Sequence, residues 1–493
     1  MRALLVASLA GIVACSSASP DPLTISTTSG IVHGGVNSSM PDVKQFLGIP
    51  FAQPPVDSLR WLPPQRLDTP DSVINGTEYP PSCIQITTWD DTSVFSVIPE
   101  TLILNGVSED CLTLSVWAPK TADAGSKLPV LIWIYGGSFV AGGTDTPAWH
   151  AGQWVQRSQE HIVVSIQYRL NIFGWPGAEG LEDQNLGFLD QRAGIEWVQE
   201  NIAAFGGDPD NMVLWGQSAG GGSVDVQNFA YPDDPIVNGF ISDSGSVFLT
   251  VETRSEGYTN FSSVARHFNC TAGSAAATLD CMRQVPAAAI ESVLEVESSL
   301  TFYPWIDDKV VFNNYTERYV QGRVSNKPAI FGSNANEGAS LITLPEPATA
   351  APDEATVAAI TQRFQCAAPY STQLRGRLGL QTYNYQYRGN FSNVSPLWWM
   401  GAYHCSELPL LFGTSGDFRG ADTPFETEVS RRMQQLWLAF VKSPACGLAA
   451  HGWQDASSGL VQVFANGTAV TDAPVAADLV YADCAGYYSN YLA

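Results

Sequence analysis

Within residues 210–222, the run Gly216-Gln217-Ser218-Ala219-Gly220 fits the pattern G-x-S-x-G. Glycines two positions either side of a serine have a mechanical purpose. A sharp strand-to-helix turn leaves no room for neighbouring Cβ atoms and forces Ser218 into strained dihedrals, where its hydroxyl projects over the sheet as a nucleophile. A serine hydroxyl reacts poorly at neutral pH. It needs an imidazole to take its proton and a carboxylate to fix the imidazole tautomer. The 6 histidines are His33, His150, His161, His267, His404 and His451. If the base follows the nucleophile and the acid in the chain, His267, His404 and His451 remain. His267 sits in the periodic stretch 262–268 and reads as a surface residue, but composition does not choose between His404 and His451.

The elements that must position such a serine are legible upstream of it. Leu112 to Trp117 alternates like a half-exposed strand, whereas Val130 to Tyr135 is continuously apolar or aromatic, as for a strand covered on both faces. Ile162 to Tyr168 predicts another buried strand, Phe188 to Phe205 a helix stopped by Gly206-Gly207, and Met212 to Trp215 the strand entering the turn. The alternation of strand, helix and strand implies an α/β fold with a mostly parallel sheet covered by helices. Gly136-Gly137-Ser138-Phe139 follows the buried strand, and the amides of Gly137 and Ser138 are suited to a nest for a developing oxyanion. Ala219 N–H, at the start of the following helix, is the third expected donor. Residues 30–50 predict an N-terminal strand or hairpin, and residues 83–111 a loop containing Trp89 over a pocket.

Composition excludes several partners. Lys and Arg number 24 against 48 Asp and Glu, so the formal charge of −24 leaves no basic surface for nucleic acid or an anionic membrane. Arg2 and the apolar run Ala3 to Ala14, then Cys15 to Ala18, predict a secretory leader over 1–18 and a single domain over 19–493. Ile12 to Cys15 also fits a lipoprotein cleavage site. The N-x-S/T acceptors at Asn37, Asn75, Asn260, Asn269, Asn314, Asn390, Asn393 and Asn466 favour a secreted eukaryotic glycoprotein, with each site in a surface loop. Beyond the leader lie Cys83, Cys111, Cys270, Cys281, Cys366, Cys405, Cys446 and Cys484, an even set that suggests disulfides in an exported chain. No run is long enough for a transmembrane helix, and no metal-ligand motif occurs.

Five stretches carry a specific resemblance: SEDCLTLSVWAP at 108–119, LPVLIWIYGGSFVAG at 128–142, YRLNIFGW at 168–175, the run from Asn185 to Gly221, and ISDSG at 241–245. The chain resembles the type-B carboxylesterase/lipase family, the cholinesterase-like α/β-hydrolases, as in a secreted fungal member. The resemblance implies an α/β-hydrolase fold with terminal hairpins, the second formed over 460–470. Phe331 to Gly338 matches the motif carrying the family's acid and assigns that role to Glu337; Gly401 to Pro409 matches the histidine segment and assigns the base to His404. It also implies an ion pair between Arg60 and Glu109 and bridges Cys83–Cys111 and Cys270–Cys281. For the last four cysteines, one arrangement braces the base through Cys366–Cys405 and leaves Cys446–Cys484; other pairings stay open.

The expected activity is that of a secreted serine carboxylic-ester hydrolase without metal or organic cofactor. An interfacial triacylglycerol lipase and a non-catalytic adhesion homologue are the alternatives. Three positions depart from the family pattern. Gln217 replaces the usual glutamate, which lowers any preference for a cationic alcohol, and Ser138 replaces the third loop glycine, which alters substrate scope. Glu337 and His404 are closer in sequence than usual, which predicts a more open site. Phe425 to Val441 predicts a helix packed on the sheet, and Tyr481 to Tyr491 an aromatic tail over an apolar edge.

Overall fold

The computed structural model describes residues 21–249, 258–271, 273–471 and 474–488. The leader assigned to 1–18, with Cys15, lies outside the described residues, as do the last five positions, 489–493. Among the described residues eleven strands form one sheet: β1 (Val43–Pro50), β2 (Thr113–Pro119), β3 (Leu128–Ile134), β4 (Ile162–Ile166), β5 (Gly207–Gln217), β6 (Gly239–Asp243), β7 (Ala329–Asn334), β8 (Thr382–Tyr387), β9 (Leu460–Asn466), β10 (Ala469–Thr471) and the short β11 (Val475–Ala476), which pairs antiparallel with β9. The spatial order of the first ten is β10-β9-β8-β7-β6-β5-β3-β4-β2-β1. All neighbours from β4 through β9 are parallel. The antiparallel pairs fall at the edges, β1–β2 and β2–β4 at one end and the β9–β10 hairpin at the other. This is the α/β-hydrolase arrangement. Its N-terminal hairpin pairs Thr24–Thr27 with Gly30–His33.

The central strands are apolar because both faces are covered. Every residue of β3 after Leu128 is buried, and Trp133 of β3 packs on Trp215 of β5 with ring centroids 4.4 Å apart. Four long helices matter for the site: α1 (Leu186–Asn201), α2 (Ala219–Ala230), α3 (Glu354–Arg377) and α4 (Pro424–Lys442). The predicted helix over 188–205 is α1 followed by a tight 3₁₀ turn, Ile202–Phe205, which ends where Gly206 adopts φ 98°. α4 starts at a capping box in which Thr423 and Glu426 satisfy each other's backbone amides. Tyr481 of the tail is buried, its hydroxyl donating to Asn384 Oδ1 at 2.6 Å.

Bridges join Cys83 to Cys111 and Cys270 to Cys281. The expected Cys366–Cys405 and Cys446–Cys484 pairs do not form: Cys366 is joined to Cys484, with 5.2 Å between Cα atoms, and Cys405 and Cys446 are free thiols. Helix geometry gives the reason. Phe364 of α3 packs on the His404 ring at 4.6 Å, and Cys366, two residues on and about 200° round the helix, faces away towards the C-terminal segment. Cys446 is exposed. One glycosylation expectation also fails. Asn75, Asn269, Asn314, Asn390 and Asn466 are exposed and Asn37 and Asn260 partly so, but Asn393 is buried. Its Nδ2 donates to Ser415 O at 3.0 Å and Asp422 Oδ1 at 3.2 Å, so the folded chain offers no room for a glycan there.

Candidate active site

The central strand β5 delivers Ser218 to the turn and α2 leaves it. Ser218 has φ 57° and ψ −125°, a conformation L-residues rarely adopt. Crowding explains the glycines: a Cβ on Gly216 would lie 2.4 Å from Gly220 O, and one on Gly220 would lie 2.1 Å from Ile134 O. The turn is tied to its neighbour strand by Ser218 N–H, which donates to Asp243 O at 2.9 Å. Because α2 begins at Ala219, its first amides have no intrahelical partner and face the region beyond the serine.

The loop after β3 runs beside this turn. Gly136 sits so close that a Cβ there would be 2.6 Å from Gln217 O and 2.9 Å from Ser218 Cβ. Gly137, Ser138 and Phe139 all take positive φ, at 106°, 54° and 63°. The Gly137 and Ser138 amides make no hydrogen bond among the described residues and border the same cavity as Ser218. Gln85 holds the far end of the loop, donating to Gly142 O at 2.7 Å and accepting from Gly142 N at 2.8 Å.

Glu337 opens a tight turn just beyond the C-terminal end of β7, and His404 follows the loop after β8. His404 Nδ1–H donates to Glu337 Oε2 at 2.6 Å. The other oxygen of Glu337 accepts from Ser244 Oγ and Asn334 N, both at 2.6 Å. Three donors thus converge on one buried carboxyl group and fix its position against the ring. With the Nδ1 proton given to Glu337, Nε2 carries the free lone pair, while Gln217 Nε2 packs against the ring 3.1 Å from that nitrogen. The same amide nitrogen is 3.5 Å from Nδ1, so it is aligned with the lone pair of neither ring nitrogen.

Two further carboxyl groups lie behind this pair. Burial pushes Asp243 up to about 7, against the hydrogen bond from Trp215 Nε1, and the nearby Glu337 adds to the shift. Burial, reinforced by Asp243 and Glu337, holds Glu407 well above the usual carboxylate range, while Asn334 Nδ2 donates to it. Burial also raises the Cys405 thiol.

Comparison with known proteins decides the family. The signature described as "Carboxylesterase family" matches residues 21–373. This chain belongs to the carboxylesterase family. It is 44% identical over 433 residues to a protein named chlorogenic acid esterase from Aspergillus niger, covering 86% of this chain and 83% of that one. It is 41% identical over 473 residues to secreted lipase 5 of Gibberella zeae, covering 88% of each chain. It is also 34% identical over 334 residues to mouse carboxylesterase 1C, covering 66% of this chain and 59% of that one.

In this family member, Ser218, Gln217, His404, Gly137 and Ser138 all border one cavity of about 610 Å³. Trp89, Phe95, Ile98, Trp149, Tyr303 and Ile342 give it a largely apolar wall, to which the loop closed by Cys83–Cys111 contributes the first three. A larger groove of about 820 Å³ near Trp398 and Tyr481 includes neither Ser218 nor His404. His267, half exposed, lies 3.0 Å from Glu297, and His451 is exposed after the short helix Gly447–Ala450; neither lines the cavity. The Arg60–Glu109 pair is bidentate, at 2.5 and 2.6 Å. Sequence reasoning did not identify Ser244 or Phe364 as neighbours of the Glu337–His404 pair. Ser244 was visible inside ISDSG, but its partner is 93 residues away.

Proposed function

We propose that the chain is a secreted carboxylic-ester hydrolase in which Ser218 attacks the ester carbonyl, His404 acts as base and then acid, and Glu337 orients His404. The observation that carries this reading is the 2.6 Å Glu337–His404 hydrogen bond, which leaves Nε2 basic on the wall of the cavity that holds Ser218. Ser218 Oγ gives its proton to His404 Nε2 as it forms a bond to the acyl carbon. The negative oxygen is received by the amides of Gly137, Ser138 and Ala219. His404 protonates the departing alcohol, and water then attacks the acyl-enzyme with the same proton traffic. Secretion is supported by the leader-like segment at 1–18 and by three disulfides, which persist in oxidising compartments.

The apolar wall suits an ester with a hydrophobic acyl or aryl group. The names of the two fungal relatives supply contrasting probes, chlorogenic acid and an emulsified triacylglycerol. The test is hydrolysis of both, together with nitrophenyl esters of increasing acyl length. Turnover of dissolved chlorogenic acid and short esters supports a carboxylesterase. A rise only above the solubility limit of long-chain esters establishes the lipase alternative, and inactivity on every ester returns the recognition-protein alternative.

A further inference from the structure

Residues 86–103 contribute one wall of the cavity, and among the described residues three hydrogen-bonding or ionic ties join them to the rest of the chain. Thr88 Oγ1 donates to Glu295 Oε1 at 3.1 Å between exposed side chains, and Leu344 N–H donates to Thr92 O at 2.7 Å. The third tie is an ion pair between Glu100, in the single 3₁₀ turn Pro99–Thr101, and Arg419. Ile98, Thr101, Leu102 and Ile103 line the cavity whereas Glu100 does not, so this pair lies behind the wall. Arg419 Nη1 donates to Glu100 Oε2 at 2.8 Å and Nη2 donates to Oε1, the two side chains being 24% and 6% exposed. Arg419 Nε donates to Asn393 O at 2.9 Å, which fixes the guanidinium from its other edge. We propose that Arg419 is a positioning residue that holds this wall in place behind Glu100 and thereby sets the affinity for an ester with a long apolar alcohol. The proposal rests on the triad reading above.

The alcohol side follows from what stands next to the wall. In the proposed reaction His404 protonates the departing alcohol, so the alcohol group leaves from beside His404. Glu100 is close to that segment: burial is the main reason that the Tyr403 hydroxyl and the Cys405 thiol are raised, and the charge of Glu100 adds to both. Leu408, four residues beyond His404, lines the same cavity as Ile98 and Leu102. A wall that is already still when the substrate arrives loses little freedom on binding, so more of the apolar contact appears as affinity. Arginine suits the task because its planar fork meets both carboxylate oxygens while Nε remains for a third acceptor; lysine offers a single point of charge.

The experiment measures kcat and KM by titration of released acid for three esters, each below its solubility limit: ethyl butyrate, hexyl butyrate with the longer alcohol, and ethyl octanoate with the longer acyl chain. In Arg419→Gln the KM for hexyl butyrate rises roughly tenfold with little change in kcat, the signature of lost binding rather than lost chemistry. The other two esters keep their wild-type constants. Arg419→Lys, which retains the charge but not the fork, gives a smaller rise in KM for hexyl butyrate. The double variant Glu100→Gln/Arg419→Gln leaves no charge stranded behind the wall, so it carries the test if Arg419→Gln alone folds poorly, and it shows the same rise. An unchanged KM for hexyl butyrate, or equal changes with all three esters, overturns the proposal. Failure of the underlying reading looks different: Ser218→Ala then keeps its hydrolytic activity whatever the residue at 419.

Discussion

Glu337 Oε2 and His404 Nδ1 are joined by a 2.6 Å hydrogen bond across 67 residues of chain. Glu337→Gln tests what that bond does. Glutamine keeps an oxygen for Ser244 Oγ and Asn334 N, so folding is preserved. Its amide, however, donates to Nδ1 and forces the proton onto Nε2, which removes the base. The expected result is an unchanged Tm with kcat lowered by roughly 10⁴-fold, the order seen when a triad acid becomes an amide. Activity within a few-fold of wild type would remove Glu337 from the mechanism.

The scaffold was legible because its signals are local. The apolar run of β3, the G-x-S-x-G turn and the glycine stop at Gly206 each lie within a few residues of one another. Position 404 was chosen over 451 only through a family motif, since histidine content carries no information on which ring reaches the sheet. Proximity in sequence offers Cys405 as one partner for Cys366 but ignores helix phase; the bridge to Cys484 spans 118 residues. Asn393 likewise fits a glycosylation pattern, but its amide is spent on Ser415 and Asp422, contacts that exist only after folding.

A second ion pair bears on stability rather than chemistry. Arg169 donates through Nε and Nη2 to the fully buried Asp190 at 2.8 and 2.7 Å, and its backbone amide donates at 3.0 Å. Asp190→Ala strands the guanidinium without its counter-charge. Urea unfolding is expected to show a loss of about 3–5 kcal/mol, the usual result of breaking one side of a buried pair. A loss below about 1 kcal/mol would mean that water reaches Arg169.

His161 makes stability depend on pH. Burial, with a smaller contribution from Lys442, lowers it from 6.5 to about 3, and burial lowers His150 to about 4. The unfolded chain therefore binds these protons at higher pH than the folded chain does. The stability that each contributes is complete above about 6.5 and is lost as pH falls towards the folded value. Asp243 acts with the opposite sign: raised from 3.8 to about 7, it weakens the fold as pH rises through that interval. Urea titrations from pH 7.5 down to pH 4.5 are expected to show a shallower decline for His161→Gln, by up to about 1.4 kcal/mol per pH unit. Parallel declines in the two proteins would show that His161 is protonated in the fold.

The most direct test of the mechanism is covalent capture at Ser218. Rapid mixing of the purified chain with nitrophenyl butyrate, followed by acid quench and peptide mass analysis, reads both the alcohol burst and the site of the acyl group. The mechanism predicts a burst of one alcohol per chain, the acyl group on the peptide containing Ser218, and neither in Ser218→Ala. A burst retained in Ser218→Ala, or an acyl group on another residue, would contradict it.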